Sequence, residues 1–137
     1  AAAPWTLTNL LPSEPVSTAT RTDATWQSWS ETRVQQHLQA GQPVFVDYTA
    51  AWCITCQVNK RTTLAQAKVQ EAFTRHRVVL MQADWTRQDP AISASLASFG
   101  RSGVPVYVLH RPGRDALLLP ELLTPGVVLD ALNTLQP

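Results

Sequence analysis

Cysteine is nearly absent from this chain: Cys53 and Cys56 are the only two among its 137 residues. Small scaffolds built on disulfides need several bridges, so that class of protein is excluded. The pair must instead be interpreted through its spacing and its surroundings in the sequence.

Long apolar runs and clusters of like charge are also missing. No stretch approaches the roughly 18 uninterrupted apolar residues of a membrane-spanning helix, so we expect no insertion into a bilayer. The formal net charge is +1, without a long basic or acidic run, which gives no support for nucleic-acid or membrane-surface binding. Residues 1–5 lack the charged and apolar regions of a signal peptide, so we do not expect an intact one there.

The length and the local composition predict one domain preceded by an arm. A chain of 137 residues is long enough to bury a substantial core. Residues 1–23 are rich in Pro, Ser, Thr and Ala and show no apolar period, which predicts a linker or N-terminal arm. Residues 24–137 are predicted to form the domain, and we expect it to be monomeric.

Hydrophobic periodicity and capping residues predict alternating strands and helices in this domain. Strands are predicted at 26–29, 43–48, 78–85, 106–109 and 117–119, and helices at 31–40, 53–64, 69–73, 90–99 and 125–135. The apolar residues of 43–48 are continuous rather than alternating, which is typical of a central strand covered on both faces. The order of elements predicts an α/β fold, with a central mixed β-sheet flanked by helices on both faces.

The two cysteines stand in the sequence Trp52-Cys53-Ile54-Thr55-Cys56, between a predicted strand and a predicted helix. Two thiols three positions apart at a helix N-terminus face the same end of the helix, whose free N–H groups and dipole stabilise a thiolate. This arrangement is typical of reversible thiol–disulfide exchange. Cys53 is the predicted attacking thiol, and Cys56 is predicted to resolve the mixed disulfide.

A cysteine pair with this spacing has two other possible roles, a structural disulfide and half of a zinc site. A structural disulfide would close a four-residue loop, which constrains the unfolded chain little. Half of a zinc site would need further ligands, but there is no second cysteine pair, and His37, His76 and His110 are scattered without ligand spacing. We therefore expect no metal, and no cofactor other than the redox-active disulfide itself.

Asp47 lies six residues before Cys53 on an otherwise apolar strand. Alternation along the strand directs its side chain inward beneath the active site, where a buried carboxyl has a raised pKa and can move protons for Cys56. The alternative is an Asp at a strand end that faces water. Lys60 lies four residues after Cys56, where a cation favours a thiolate; the alternative is a solvated helix lysine.

Four segments in the same order resemble a known family. They are Trp52–Cys56, Ala83–Thr86, Phe99–Pro105 and Leu119–Pro125. Together they resemble the C-terminal domain of the transmembrane thiol:disulfide interchange reductases, the DsbD family and its ScsB-like relatives. The resemblance covers about residues 26–137 and implies the thioredoxin fold.

The resemblance also implies roles for individual residues. Gly103-Val104-Pro105 is similar to the cis-proline loop of thioredoxins. A cis bond there would turn the Val104 backbone toward the disulfide, where it can pair with an extended substrate segment. Partner contacts are therefore expected at this loop and at Trp52, Ile54 and Thr55. The family's buried acid corresponds to Asp47, whereas a second acid that some members carry near Lys60 is missing here.

The implied function is that of a periplasmic thiol:disulfide reductase or electron-relay domain. It would take electrons from a membrane-embedded thiol donor domain and pass them to periplasmic thiol:disulfide acceptor proteins, as a soluble domain tethered to an inner-membrane protein. Ile54 and Thr55 supply no His or charge that would stabilise a thiolate strongly, which favours a reductant over an oxidase. One alternative is a free-standing or tethered thioredoxin-like protein for cytochrome maturation or disulfide isomerisation. The other is a non-catalytic binding module on a thioredoxin scaffold.

Overall fold

In the computed structural model, which describes residues 25–135, strands and helices alternate along the chain. The strands are β1 (Trp26–Ser28), β2 (Val44–Thr49), β3 (Val79–Asp84), β4 (Val106–His110) and β5 (Leu117–Leu119). The helices are α1 (Glu31–Gln39), α2 (Ile54–Asn59), α3 (Ala67–Arg75), α4 (Pro90–Ser98) and α5 (Pro125–Asn133), and a π-helix (Lys60–Leu64) continues α2 directly. The predicted arm at residues 1–23 lies outside the described residues.

The strands form one mixed sheet in the order β1-β3-β2-β4-β5. β1, β3 and β2 run parallel, β4 is antiparallel to β2, and β5 is antiparallel to β4. Every residue of the central strand β2 is buried, as its continuous apolar run predicts. The α/β sheet with helices on both faces confirms the predicted fold class.

Alternate residues of β2 face two separate cores, as expected for a strand. Phe45 packs in the core covered by α3 and α5, together with Tyr107 of β4. Val46 and Tyr48 pack in the core covered by α1 and α4. Asp47 is two residues from Phe45 and lies opposite Tyr107 in the β2–β4 register, so its side chain is on the first face.

Side-chain caps fix where three helices begin. The Ser30 hydroxyl accepts a hydrogen bond from the Arg33 N–H at the start of α1. Asp89 and Thr124 do the same for α4 and α5, each followed by a proline at the first helical position. These caps orient helices that cover the sheet on both faces.

The π-helix is a difference from the sequence prediction. A single α-helix was expected from Cys53 to Leu64, but the α-helical pattern ends at Asn59. The Ala65 N–H then donates to the Lys60 carbonyl, five residues earlier, at 2.8 Å. The wider turn changes which side chains face the sheet after Asn59, and π-helical turns of this kind are frequent at functional sites.

Across residues 25–135, no helix combines the length and the apolar character that crossing a bilayer requires.

Candidate active site

The two cysteines form a disulfide at the start of α2. Cys53 is the N-cap residue of this helix, and its Sγ accepts a hydrogen bond from the Cys56 N–H at 3.1 Å. Cys53 is 7% exposed and Cys56 is completely buried. An attacking thiolate can therefore approach the disulfide only from the Cys53 side, which agrees with the predicted order of the two thiols.

The loop that leads into the disulfide is fixed from both sides. The Ala50 carbonyl accepts hydrogen bonds from the Cys53 N–H and from Gln57 Nε2, each at 3.1 Å. On the other side, the Ala51 N–H donates to Thr86 Oγ1 at 2.8 Å. The Thr86 hydroxyl donates in turn to Asp84 Oδ1 at the end of β3. Because these contacts come from α2 and from the loop after β3, the two elements together fix the loop that carries Cys53.

Trp52 lies at the protein surface beside the disulfide and is 52% exposed. Its indole Nε1–H donates to the Thr86 carbonyl at 3.0 Å, and its ring centroid is 6.0 Å from that of Trp85. These contacts hold the ring in place, and about half of the residue remains accessible, as a contact with a partner requires.

Asp47 is only 1% exposed and lies opposite Tyr107 in the sheet, on the same face as Phe45. Burial raises its pKa to about 6, against a partial lowering by the nearby positive charge of Lys60. Within residues 25–135, nothing donates a hydrogen bond to Asp47 Oδ1. A buried carboxyl with a pKa near neutrality can exchange a proton at ordinary pH, so the predicted burial is confirmed and its proton-transfer role stays a prediction.

Val104 and Pro105 bring a second loop to the disulfide. The peptide bond between them is cis, which confirms the prediction. The Val104 side chain packs against the small cluster of Ala50, Cys53 and Cys56. A Cβ atom built on Gly103 would meet no atom within 4 Å, so this loop borders open space beside the site.

The remaining predicted partner contacts are open to solvent. Ile54 is 79% exposed, and Thr55 is also exposed. Together with Trp52 and the 103–105 loop they form one surface around Cys53, which we call the disulfide surface. Within the described residues, no group of three or more His, Cys, Asp and Glu side chains could hold a metal ion.

The comparisons with known proteins agree with this geometry. A family model described as thioredoxin-like matches residues 25–112. The chain belongs to the thioredoxin-like family.

Within this family the chain is homologous to the DsbD proteins. It is 36% identical to thiol:disulfide interchange protein DsbD 1 of Pseudomonas aeruginosa over 77 residues. This alignment covers 56% of the chain and 13% of that protein. It is 33% identical to DsbD of Neisseria meningitidis over 84 residues, and this alignment covers 61% of the chain and 13% of that protein. The chain thus corresponds to about an eighth of the length of these relatives, and the predicted relationship to the DsbD family is confirmed.

A solved structure identifies the corresponding part of DsbD. The C-terminal domain of N. meningitidis DsbD in its reduced form aligns with a TM-score of 0.61 and 25% identity, over 77% of the chain and 89% of that domain. This match and the Cys53–Cys56 disulfide confirm the predicted class, a thiol:disulfide oxidoreductase domain of the thioredoxin-like family.

A buried polar network beside α2 was not predicted from the sequence. Asn59 Nδ2 donates to the Tyr107 hydroxyl and to the Glu121 carbonyl, both at 2.8 Å, and Asn59 Oδ1 accepts from the Leu123 N–H at 3.3 Å. The Thr63 hydroxyl donates to the Leu123 carbonyl at 2.7 Å. These bonds fasten the segment after β5 to the helix that carries Cys56. The sequence feature that could have indicated this network is the pair of polar residues Asn59 and Thr63, which lie four positions apart on one helix face.

Proposed function

We propose that this domain is a protein-disulfide reductase and electron relay. It accepts electrons from a membrane-embedded thiol donor domain and passes them to periplasmic thiol:disulfide acceptor proteins. The observation that carries the proposal is the disulfide itself, in which Cys53 is 7% exposed beside the disulfide surface and Cys56 is completely buried. The membrane donor and the periplasmic location are supported by the homology to DsbD proteins.

Reduction of an acceptor takes two exchange steps. The Cys53 thiolate attacks one sulfur of the acceptor disulfide, so that an intermolecular S–S bond forms and the acceptor's other sulfur leaves as a thiolate. The Cys56 thiol then loses its proton, and its thiolate attacks Cys53 Sγ. The intermolecular bond breaks, the Cys53–Cys56 bond forms, and the acceptor carries away two electrons as a dithiol.

The side chains around the disulfide suit these steps. Cys53 is the N-cap of α2, where main-chain N–H groups favour the thiolate. Asp47 is the proposed base for the Cys56 proton, because its pKa near 6 lets it take up and release a proton at neutral pH. Trp52, Ile54, Thr55 and the 103–105 loop are the proposed contacts for the acceptor.

The direction of electron flow follows from the residues between the cysteines. Ile54 and Thr55 are exposed and carry no charge, so the reduced form gains no strong stabilisation from them. We expect a reduction potential nearer the thioredoxin value of about −270 mV than the value of about −120 mV of strong oxidants. A measured potential above about −150 mV would instead indicate an oxidase or isomerase.

The direct test is reduction of insulin by the domain with dithiothreitol as the electron source. The wild-type domain should accelerate insulin precipitation, and Cys53→Ser should abolish the acceleration. Cys56→Ser should accumulate a mixed disulfide through Cys53, visible as an adduct that dithiothreitol removes. A wild-type domain with a reducible disulfide but without turnover would reject the reductase and favour a binding module.

A further inference from the structure

Lys60 stands on the same helical segment as Cys56, one turn further along, and its side chain reaches the buried carboxyl of Asp47. Its Nζ lies 3.8 Å from Asp47 Oδ2 and donates to Thr49 Oγ1 at 2.8 Å. The lysine side chain is 30% exposed, whereas that of Asp47 is 2% exposed. The ammonium group is therefore reachable by water, while the carboxylate is not.

The π-helix accompanies this placement of Lys60. The α-helical pattern ends at Asn59, and Lys60 begins the wider turn. Asn59 binds Tyr107 on β4, whereas Lys60 binds Thr49 and pairs with Asp47 on β2. The consecutive residues Asn59 and Lys60 thus both contact the sheet, Asn59 through its side-chain amide and Lys60 through its ammonium group.

The other charges near this pair are few within residues 25–135. The Tyr107 phenol faces Asp47 from β4 and stays neutral, because burial raises its pKa well above the usual range. The hydrogen bonds from Thr86 lower the pKa of Asp84 at the end of β3, and the charges of Lys60 and Arg87 lower it further. Gln82 is the neutral β3 neighbour of Asp47 in the sheet register. Lys60 is accordingly the cation that faces the buried carboxyl.

We propose that Lys60 is a positioning residue for the second exchange step, and that it acts by holding the Asp47 carboxylate charged and oriented as the acceptor of the Cys56 proton. This inference rests on the proposed reductase function and adds to it a residue that touches neither sulfur. Without the cation, burial would raise the pKa of Asp47 unopposed by Lys60, and the protonated form would be favoured. A protonated Asp47 cannot accept the Cys56 proton, so the second step would then need a higher pH.

The two exchange steps can be observed separately with the chromogenic disulfide dithiobis(nitrobenzoate). One equivalent added to the reduced domain releases a first coloured thiolate when Cys53 attacks, and a second when Cys56 resolves the mixed disulfide. In Lys60→Met the pH midpoint of the second release should rise by about one unit, the low end of the effect of an opposite charge at this distance. At pH 7 this corresponds to a loss of rate of about twofold, and at pH 5 and below to a loss approaching about tenfold, because the pKa of Asp47 is about 6 in the wild type. The first release should keep its wild-type pH profile.

Three further variants make the result specific. Lys60→Arg keeps the cation and should restore the wild-type midpoint. Lys68→Met removes an exposed lysine of α3 and should change nothing. In an Asp47→Asn background, Lys60→Met should produce no further change, because the residue through which it acts is gone. Carbon-13 NMR of the wild-type and Lys60→Met domains should also show the Asp47 carboxyl titrating at a higher pH without the lysine.

An unmoved midpoint in Lys60→Met would overturn the inference, and so would an equal shift in the Asp47→Asn background, which would mean a direct effect on the thiolate. Circular dichroism and the unfolding midpoint establish that each variant is folded. A failure of the inference leaves insulin reduction by the wild-type domain intact. A failure of the proposed function instead removes insulin reduction from the wild-type domain itself, so the two outcomes are distinguishable.

Discussion

The side-chain amide of Asn59 donates a 2.8 Å hydrogen bond to the phenol oxygen of Tyr107. Asn59 lies three residues after Cys56, and Tyr107 lies two residues after Pro105. This one bond therefore joins the helix that carries the resolving cysteine to the strand that follows the cis-proline. The start of α2 and the 103–105 loop, which both contribute to the disulfide surface, are therefore linked by a contact that is completely buried.

We expect Asn59→Ala to lower the free energy of unfolding by about 2–3 kcal/mol, because it leaves the Glu121 carbonyl and the Leu123 N–H without their partner. Tyr107→Phe removes only one bond of the network and should cost about 1 kcal/mol. Urea unfolding of both variants measures the difference. Equal losses in the two variants would show that the bonds to the segment after β5 contribute nothing.

The neighbouring threonines provide a matched comparison. Thr63 is buried and its hydroxyl donates to the Leu123 carbonyl, whereas Thr62 is exposed and its hydroxyl donates to the Val58 carbonyl of its own helix. Thr63→Val should lower the free energy of unfolding by about 1–3 kcal/mol, since it leaves a buried carbonyl unpaired. Thr62→Val should stay within about 0.5 kcal/mol of the wild type. The reverse ranking in urea unfolding would contradict the assigned contacts.

Asp47 predicts how stability changes with pH. Its pKa is about 6 in the folded domain and near 3.9 in an unfolded chain, so the folded state binds more protons between these values. Stability should therefore fall as the pH rises from about 4 to about 6, and remain lower above that range. Asp47→Asn should remove this fall and be more stable than the wild type near pH 8, by on the order of 3 kcal/mol.

Urea unfolding of the oxidised domain at several pH values measures this effect. The gap between Asp47→Asn and the wild type should shrink as the pH falls and be nearly closed at about pH 3, where the carboxyl is protonated in most folded and most unfolded molecules. Asp130→Asn, at an exposed position of α5, is the control and should follow the wild-type profile. A gap that is constant with pH would mean that Asp47 does not titrate in this range.

Alkylation of the reduced domain tests the order of the two thiols. Cys53 is partly accessible at the start of α2, and Cys56 is completely buried. Iodoacetamide near neutral pH should therefore label Cys53 well before Cys56, as peptide mapping by mass spectrometry would show. Labelling of Cys56 first would reverse the assigned roles.

Most of the fold was predictable because it depends on local patterns. The caps at Ser30, Asp89 and Thr124 and the continuous apolar run of β2 each fix an element through its own residues. The Cys53–Cys56 spacing likewise identifies the redox chemistry within four residues. These features need no knowledge of what lies across the sheet.

The network around Asn59 could not be predicted in the same way. Its bonds join positions 48 to 64 residues apart, and a polar residue on a helix is ordinarily expected to face water. The π-helix has the same origin, because its wider turn coincides with contacts from Lys60 to β2 rather than with a sequence signal of its own. The sequence placed Lys60 on the face of Cys56, and the structure adds its carboxylate partner.

The sheet of residues 25–135 ends on each side in a strand of only three residues, β1 and β5. Short edges leave few main-chain groups free for pairing with a strand of another molecule, which is how natural sheets resist edge-to-edge aggregation. Many copies of a domain with such edges, held close together on a carrier, should therefore resist strand-mediated association.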